Sequence, residues 1–356
     1  MTRNYFVLVT TLLFLYACKK PIEVREVAKT YSWKEINRFT GTEKIFLSSG
    51  SDGKTIFLQQ PFYFTTLKNQ NEFSGITIYG AGMPTNVDAR VPIAAAFTAY
   101  AVTDSVLRII NNSFPLITPS KQYYDLKKLD PTLTSIEETN SFLVKVMSIN
   151  SNGTLLLSYR NSQVSQPLTF IMLKVVTMPS YPYVDTIFSK IVSIPRNITN
   201  GYAYTRYFTA IDDYFLADLG GNGIYKIKED GSFQKVMNAT TIDVFYKWQG
   251  KVYAYAEWDK LLISSDNGEG WQQYNGIPSS MTLSSYQYIK DSLIGLNRDN
   301  IYTLKWTDTH YSLRLLKNDG LEGSTINGLE ILNDTIYAAT TKGLFVKPVR
   351  AFFESK

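Results

Sequence analysis

The chain predicts an all-β fold, a propeller of four-stranded blades, on three observations. The first is composition: 44% of its 356 residues are hydrophobic, 19% are charged, and Tyr and Phe number 25 and 20. Aromatic residues suit half-buried pleated surfaces, and so apolar a chain with so little charge is not a disordered one. The second is pattern. Short apolar runs such as KTIFLQQ (54–60), GITIYG (75–80), LTFIMLKVV (168–176) and TIYAATT (335–341) are separated by Gly, Asn, Asp and Pro. No amphipathic helix of ten or more residues can be drawn between them. The third is a repeat: strand starts at Tyr214, Val252, Leu293 and Ile336 are spaced 38, 41 and 43 residues apart. That period, with several strands per unit, marks a propeller blade.

The elements follow in chain order. Residues 1–17 begin with Arg3 and continue as an apolar run too short to span a bilayer comfortably, the order of a secretory signal. Residues 18–30 read as a polar tether, and residues 31–356 as the propeller. In the N-terminal half the strand starts fall near Ile56, Ala95 and Leu155, with irregular gaps. Added to the clear four they give seven blades, with six or eight left open. The irregular stretch between Asn111 and Tyr207 is where a specific binding surface is expected. The last unit, GLFVKPVRAFFESK, lacks an outer strand, whereas residues 31–41 carry YSWKEINRFTG, which parallels GEGWQQYNGIP with Trp33 in the place of Trp271. The N-terminal segment is therefore expected to supply the missing outer strand and close the ring, which hides two sheet edges.

Two motifs carry family resemblances. Leu15-Tyr16-Ala17-Cys18 resembles the lipobox of bacterial lipoproteins, and CKK after it resembles those of the Bacteroidota. The resemblance implies that Cys18 becomes the first mature residue and carries the lipid. Cys18 is the only cysteine, so it has no internal disulfide partner; an ordinary signal with an incidental cysteine is the competing reading. Ser264-x-Asp266-x-Gly268-x-x-Trp271 resembles the Asp-box of sialidase-type (BNR-repeat) propellers, which include enzymes and non-enzymes alike. The resemblance implies a structural turn between the third and fourth strands of a blade, on the rim away from the ligand face. KEDGSFQKV (228–236) resembles a decayed copy with Asp230, Gly231 and Phe233 kept.

Chemistry finds fewer footholds. A sialidase needs three arginines, a Tyr–Glu pair and an acidic residue. Arg90-Val91-Pro92 offers one such arginine in a poor context, and Arg108, Arg160, Arg206, Arg298 and Arg314 cannot be assigned to the others. His310 is the only histidine, expected in a loop between strands, so no His/Cys metal cluster can form. The glycines Gly220, Gly221 and Gly223 read as a hairpin turn, since no helix follows to make a phosphate cradle. The acidic turns at 50–54 and 264–270 leave an oxygen-only calcium site open. Asp104-Ser105-Val106, Asp185-Thr186-Ile187, Asp291-Ser292-Leu293 and Asp334-Thr335-Ile336 resemble a Bacteroidota O-glycosylation motif, or simply begin strands after turns. Basic and acidic residues number 36 and 31 and are mixed along the chain, which gives no nucleic-acid footprint. The expectation is a lipid-anchored propeller of the cell envelope, on the outer membrane, that binds a protein or glycan partner without a cofactor. A surface glycoside hydrolase of sialidase type is the alternative.

Overall fold

The computed structural model describes residues 31–51, 53–60, 63–68, 72–77, 86–87, 98–103, 106–111, 123–132, 135–136, 147–160, 167–178, 184–197, 203–238, 240–256, 260–274, 283, 285–307 and 310–356. The expected signal and tether, with Cys18, lie outside them. From Ser32 to Lys356 the chain is one compact unit.

Among the described residues the strands pair into seven antiparallel sheets. The chain enters with β1 (Lys34–Glu35). Sheet I is β2 (Ser48–Ser51), β3 (Thr55–Gln59), β4 (Tyr63–Lys68) and β5 (Glu72–Thr77). Sheet II is β6 (Asn86–Val87), β7 (Thr98–Thr103), β8 (Val106–Asn111) and β9 (Tyr123–Asp125); of its side chains only Tyr124 and Asp125 are described. Sheet III is β10 (Ser135–Ile136), β11 (Met147–Ile149), β12 (Leu155–Arg160), β13 (Leu168–Thr177) and β14 (Val184–Ile194). Sheet IV is β15 (Ala203–Ile211), β16 (Tyr214–Gly220), β17 (Ile224–Ile227) and β18 (Phe233–Met237). Sheet V is β19 (Ile242–Trp248), β20 (Lys251–Ala256), β21 (Lys260–Ser264) and β22 (Gln272–Tyr274). Sheet VI is β23 (Ser285–Ile289), β24 (Ser292–Asn297), β25 (Asn300–Thr307) and β26 (His310–Leu315). Sheet VII is β27 (Ile326–Leu332), β28 (Thr335–Thr340) and β29 (Gly343–Pro348), and β1 completes it.

Within each sheet the strands pair in chain order, so each is a meander. In III, β10 and β11 both pair with β12, at Tyr159–Arg160 and at Leu155–Leu157, as a first strand broken in two. The first strands of neighbouring sheets lie side by side: β11 by β15, β15 by β19, β23 by β27 and β2 by β27. They form the inner edge of the ring. The repeat legible in the sequence therefore starts on the second strand of each sheet. It is β16, β20, β24 and β28 that begin at Tyr214, Lys251, Ser292 and Thr335, and β3 and β12 hold Ile56 and Leu155. Ala95 is outside the described residues, and the matching second strand β7 begins at Thr98. His310 does not sit in a loop as expected: it opens β26, paired with Thr307.

Each core cluster belongs to two sheets. Phe170 and Met172 of III meet Phe208, Phe215 and Ala217 of IV. Leu216 and Ile224 of IV meet Phe245 and Val252 of V. Tyr246 and Tyr253 of V meet Leu293 and Leu304 of VI, and Ile294 and Ile301 of VI meet Leu329 and Ala338 of VII. Ile56 and Leu58 of I meet Leu332 and Tyr337 of VII. An apolar strand face is thus hidden by the adjacent sheet, the stabilising logic of a repeat fold. Side-chain hydrogen bonds fix the inner edges. Ser148 Oγ accepts from Ala210 N at 2.9 Å, Gln287 Nε2 donates to Leu329 O at 2.8 Å, and Ser49 Oγ donates to Glu330 at 2.8 Å.

The ring closes as the two ends of the sequence imply. β1 pairs antiparallel with β29, Lys34 opposite Val346 and Glu35 opposite Phe345. Trp33 is only 4% exposed and meets Phe352 edge-on, with ring centroids 6.2 Å apart. Its backbone N–H donates to Asp319 O at 2.8 Å. A four-residue helix α1 (Val349–Phe352) follows β29, and Ser355 bridges back to Leu316.

Candidate functional site: the two ends of the propeller

The turns from first to second and from third to fourth strands share one end of the ring, the turn end. The turns from second to third strands and the connections between sheets share the other, the loop end.

Ser264, Asp266, Gly268 and Trp271 build the turn from β21 to β22. Ser264, fully buried, ends β21; its hydroxyl donates to Asp266 Oδ1 at 2.7 Å and accepts from Gly268 N at 2.8 Å. Asp266 also accepts from Gly270 N at 2.8 Å and Glu269 N at 3.2 Å. The Ser264 hydroxyl, with these N–H groups, holds the Asp266 carboxyl below its usual range. Gly268 sits at φ +85°, where a Cβ would also reach within 3.3 Å of Leu216, so the position favours glycine twice over. The Trp271 indole donates to Gly268 O at 3.0 Å and its ring lies 6.2 Å from Phe245 in the core between IV and V. Every polar atom of the motif is spent on the turn. Glu269 extends the joint by pairing at 3.1 Å with the buried Lys226 of sheet IV, whose ammonium lies 4.4 Å above the Tyr214 ring.

KEDGSFQKV makes the equivalent turn in sheet IV. Asp230 accepts from Ser232 N at 2.8 Å and Ser232 Oγ at 2.6 Å, and Gly231 has φ +79°. Glu229 reaches back to sheet III, accepting from Thr154 at 2.6 Å and Asn152 at 2.7 Å.

At the loop end, Asp218 is the fully buried carboxylate. Its oxygens accept from Gly220 N and Ile242 N, each at 2.9 Å, and Arg206 Nε stands 3.9 Å away. Arg206 also donates to Thr241. The cluster staples β15 and β16 to the start of β19. The glycine run at 220–223 is the expected hairpin turn, with Gly223 N donating to Gly220 O at 3.0 Å.

At the turn end three successive sheets present side chains together. Val244, Tyr246 and Trp248 alternate along β19 towards sheet VI, and Tyr286 and Tyr288 alternate along β23 towards them. The Tyr246 ring stacks on the half-buried Tyr286 at 4.1 Å and on the buried Tyr253 at 4.9 Å. One step further along, Trp248 and Tyr288 stack at 5.5 Å with planes 21° apart, and this pair is open: Tyr288 is 51% exposed. Beside it Lys247 pairs with Asp212, which stands in the turn of sheet IV at φ +52°. Burial, then Tyr253 and Asp212, push the Tyr288 phenol up to about 12. The pair was not legible in the sequence, although Tyr246-x-Trp248 and Tyr286-x-Tyr288 share the period-two spacing that could have pointed to it.

Among the described residues the remaining candidates do not converge. Arg90 and the side chains of Arg108, Arg160 and His310 lie outside the described residues. Arg206 stands on an inner strand, Arg298 in the turn between β24 and β25, and Arg314 on the outer strand β26. Asp291 and Asp334 lie in turns just before β24 and β28, Asp185 lies inside β14, and Asp104 is outside the described residues. Among the described residues no group of His, Cys, Asp and Glu is placed to hold a metal ion, and no helix is long and apolar enough to cross a membrane.

No protein-family model matches the chain, and no curated protein matches it. Solved structures do. A catalytically inactive variant of virginiamycin B lyase from Staphylococcus aureus with quinupristin is similar over 89% of this chain and 98% of its own, with TM-score 0.58 and 12% identity. A streptogramin B lyase is similar over 89% and 97%, with TM-score 0.55 and 10% identity. The extracellular domain of a hybrid two component system from B. thetaiotaomicron is similar over 89% of this chain and 39% of that one, with TM-score 0.53 and 12% identity. These likenesses are of fold: the chain is a β-propeller of four-stranded blades.

Proposed function

We propose that this chain is a lipid-anchored, extracytoplasmic propeller that binds a protein or glycan partner and does not turn it over. The observation that carries the reading is how polar groups are spent. The Asp-box carboxylate of Asp266 and the buried Asp218 accept backbone N–H groups of the frame, and Glu229 and Glu269 clamp adjacent sheets. Among the described inner-strand residues, Trp248 and Tyr288 form an open stacked pair. Charged groups held by the frame stabilise it, whereas catalysis needs them free to exchange protons or bind substrate. The single histidine stands on an outer strand, remote from the inner edge.

The anchor rests on Leu15-Tyr16-Ala17-Cys18 behind a basic-then-apolar leader; two or more acyl chains would hold the body at a membrane, in this reading the outer one. Metabolic labelling of cells expressing the full chain with an alkyne palmitate tests it. Label and membrane fractionation are expected for the native chain and neither for Cys18→Ala. Membrane association without label would overturn the anchor. Release of 4-methylumbelliferone from its sialoside by the purified chain would favour the hydrolase alternative.

A further inference from the structure

We infer that the turn-end mouth formed by Asp212, Lys247, Trp248 and Tyr288 is a stacking site for a neutral saccharide. The inference deepens the binding reading above by naming the ligand class and the place. Three properties of the cluster converge. First, it offers an apolar ring face: Tyr288 is half open to water and is backed by Trp248, stacked on it at 5.5 Å with planes 21° apart. Behind it Tyr246 and Tyr253 are buried in the joint and Tyr286 is half-buried, and their stacked rings brace the open pair. A platform already ordered loses little entropy on binding. Second, hydrogen-bonding groups rim the surface. The Asp212 side chain is 53% exposed and the Lys247 side chain 31%, one an acceptor and the other a donor, and the Tyr288 hydroxyl adds both capacities. Third, the rim has no net charge, because Lys247 and Asp212 are paired. A cation placed over the rings would meet the Lys247 ammonium, and an anion would meet the Asp212 carboxylate. A pyranose ring meets neither objection: its C–H face lies on an aromatic plane and its hydroxyls donate to the carboxylate and accept from the ammonium.

The site lies at the same end of the ring as the Asp266 turn, not on the opposite face where the motif's resemblance leads one to expect a ligand; at that loop end Asp218 and Arg206 are committed to the joint between IV and V. It draws on three consecutive sheets, IV, V and VI, so it exists only where these three pack together.

Isothermal titration of the full chain in detergent with cellohexaose, laminarihexaose, maltohexaose and xylohexaose tests the inference. At least one should bind. Tyr288→Ala should raise its Kd roughly tenfold or more, the loss ordinarily seen on truncating an aromatic anchor. Tyr288→Phe should stay within about threefold of the native chain, and Phe233→Ala, an exposed aromatic on the outer strand of sheet IV, should not change it. A Trp248→Ala chain that melts as the native one does and loses binding gives independent support. Absence of binding to all of these sugars by the native chain, or binding that survives Tyr288→Ala, overturns the inference. Either failure leaves the palmitate label of the anchor experiment untouched, so the site and the wider reading fail separately.

Discussion

Sheets IV and V carry the same turn in two states of completeness. In both, an acidic residue accepts N–H groups of the turn and a glycine takes a positive φ: Asp230 with Gly231 in one, Asp266 with Gly268 in the other. They differ in what is attached. In V the strand ends on the buried Ser264, which ties Asp266 to Gly268, and Trp271 carries a half-buried ring into the joint with IV. In IV the corresponding aromatic, Phe233, is 39% exposed and tilted 6.3 Å from Tyr225. The turn itself needs only the carboxylate and the glycine. The serine and the tryptophan convert it from a local bend into a wedge between blades, and a second tryptophan-led segment, at Trp33, uses the same wedge to close the ring.

That ranking can be broken by experiment. The largest loss is expected at Trp33→Ala, which empties a nearly fully buried site at the closure; about 3–5 kcal/mol of unfolding free energy should go, read as a lower urea midpoint. Trp271→Ala should cost less, roughly 2–4 kcal/mol, because its ring is half-buried, while Phe233→Ala at the decayed turn should stay below about 1 kcal/mol. If the two substitutions cost the same, the wedge is not what distinguishes the turns. Ser264→Ala leaves the Gly268 N–H without its acceptor in a buried place and should cost about 1–3 kcal/mol. Ser232→Ala, at an exposed position of the other turn, should fall within about 0.5 kcal/mol of the native chain.

Titration sharpens the comparison with smaller effects. Asp230 and Asp266 both have folded pKa values below the ordinary carboxylate range, set first by the hydroxyls of Ser232 and Ser264. Folded forms that bind protons less are most stabilised above the unfolded pKa, so this contribution is present above about pH 4 and is lost as pH falls through the folded values. Asp266→Asn should flatten part of the acid limb of a stability–pH curve. At the alkaline side the sign reverses. The Tyr288 phenol ionises near 12 when folded and about 10 when unfolded, so its contribution is complete below pH 10 and declines from there towards 12. Tyr288→Phe should remove that part of the decline.

Much of the frame was legible because the second and third strands repeat in sequence. Gly223-Ile224-Tyr225 and Gly343-Leu344-Phe345 open third strands in the same way, and the turns before Tyr214, Ser292 and Thr335 each hold an aspartate. The inner strands were not legible as a repeat. AYTRYFTAI, IDVFYKW, SYQYI and INGLEIL share no motif, because each is held by different partners: Ser148 on Ala210, Asp218 on Ile242, Gln287 on Leu329. Since Trp248 and Tyr288 stand on such strands and on different sheets, their meeting could not be read along the chain. Nor could Lys347, which is fully buried, donates to Lys317 O at 3.2 Å and lies 5.9 Å from the Trp33 ring. A lysine in an apolar strand reads as a surface residue until the closing tryptophan is placed over it.

The closed ring requires that the first strand complete the last sheet. In a Cys18→Ala background, cysteines placed at Lys34 and Val346, which face each other across the β1–β29 pair, test it directly under mild oxidation. The expected result is a rapid intramolecular disulfide, visible as a shift on non-reducing gels, with a higher melting temperature than the reduced chain. Two thiols that stay free, or that join only different molecules, would contradict the closed ring.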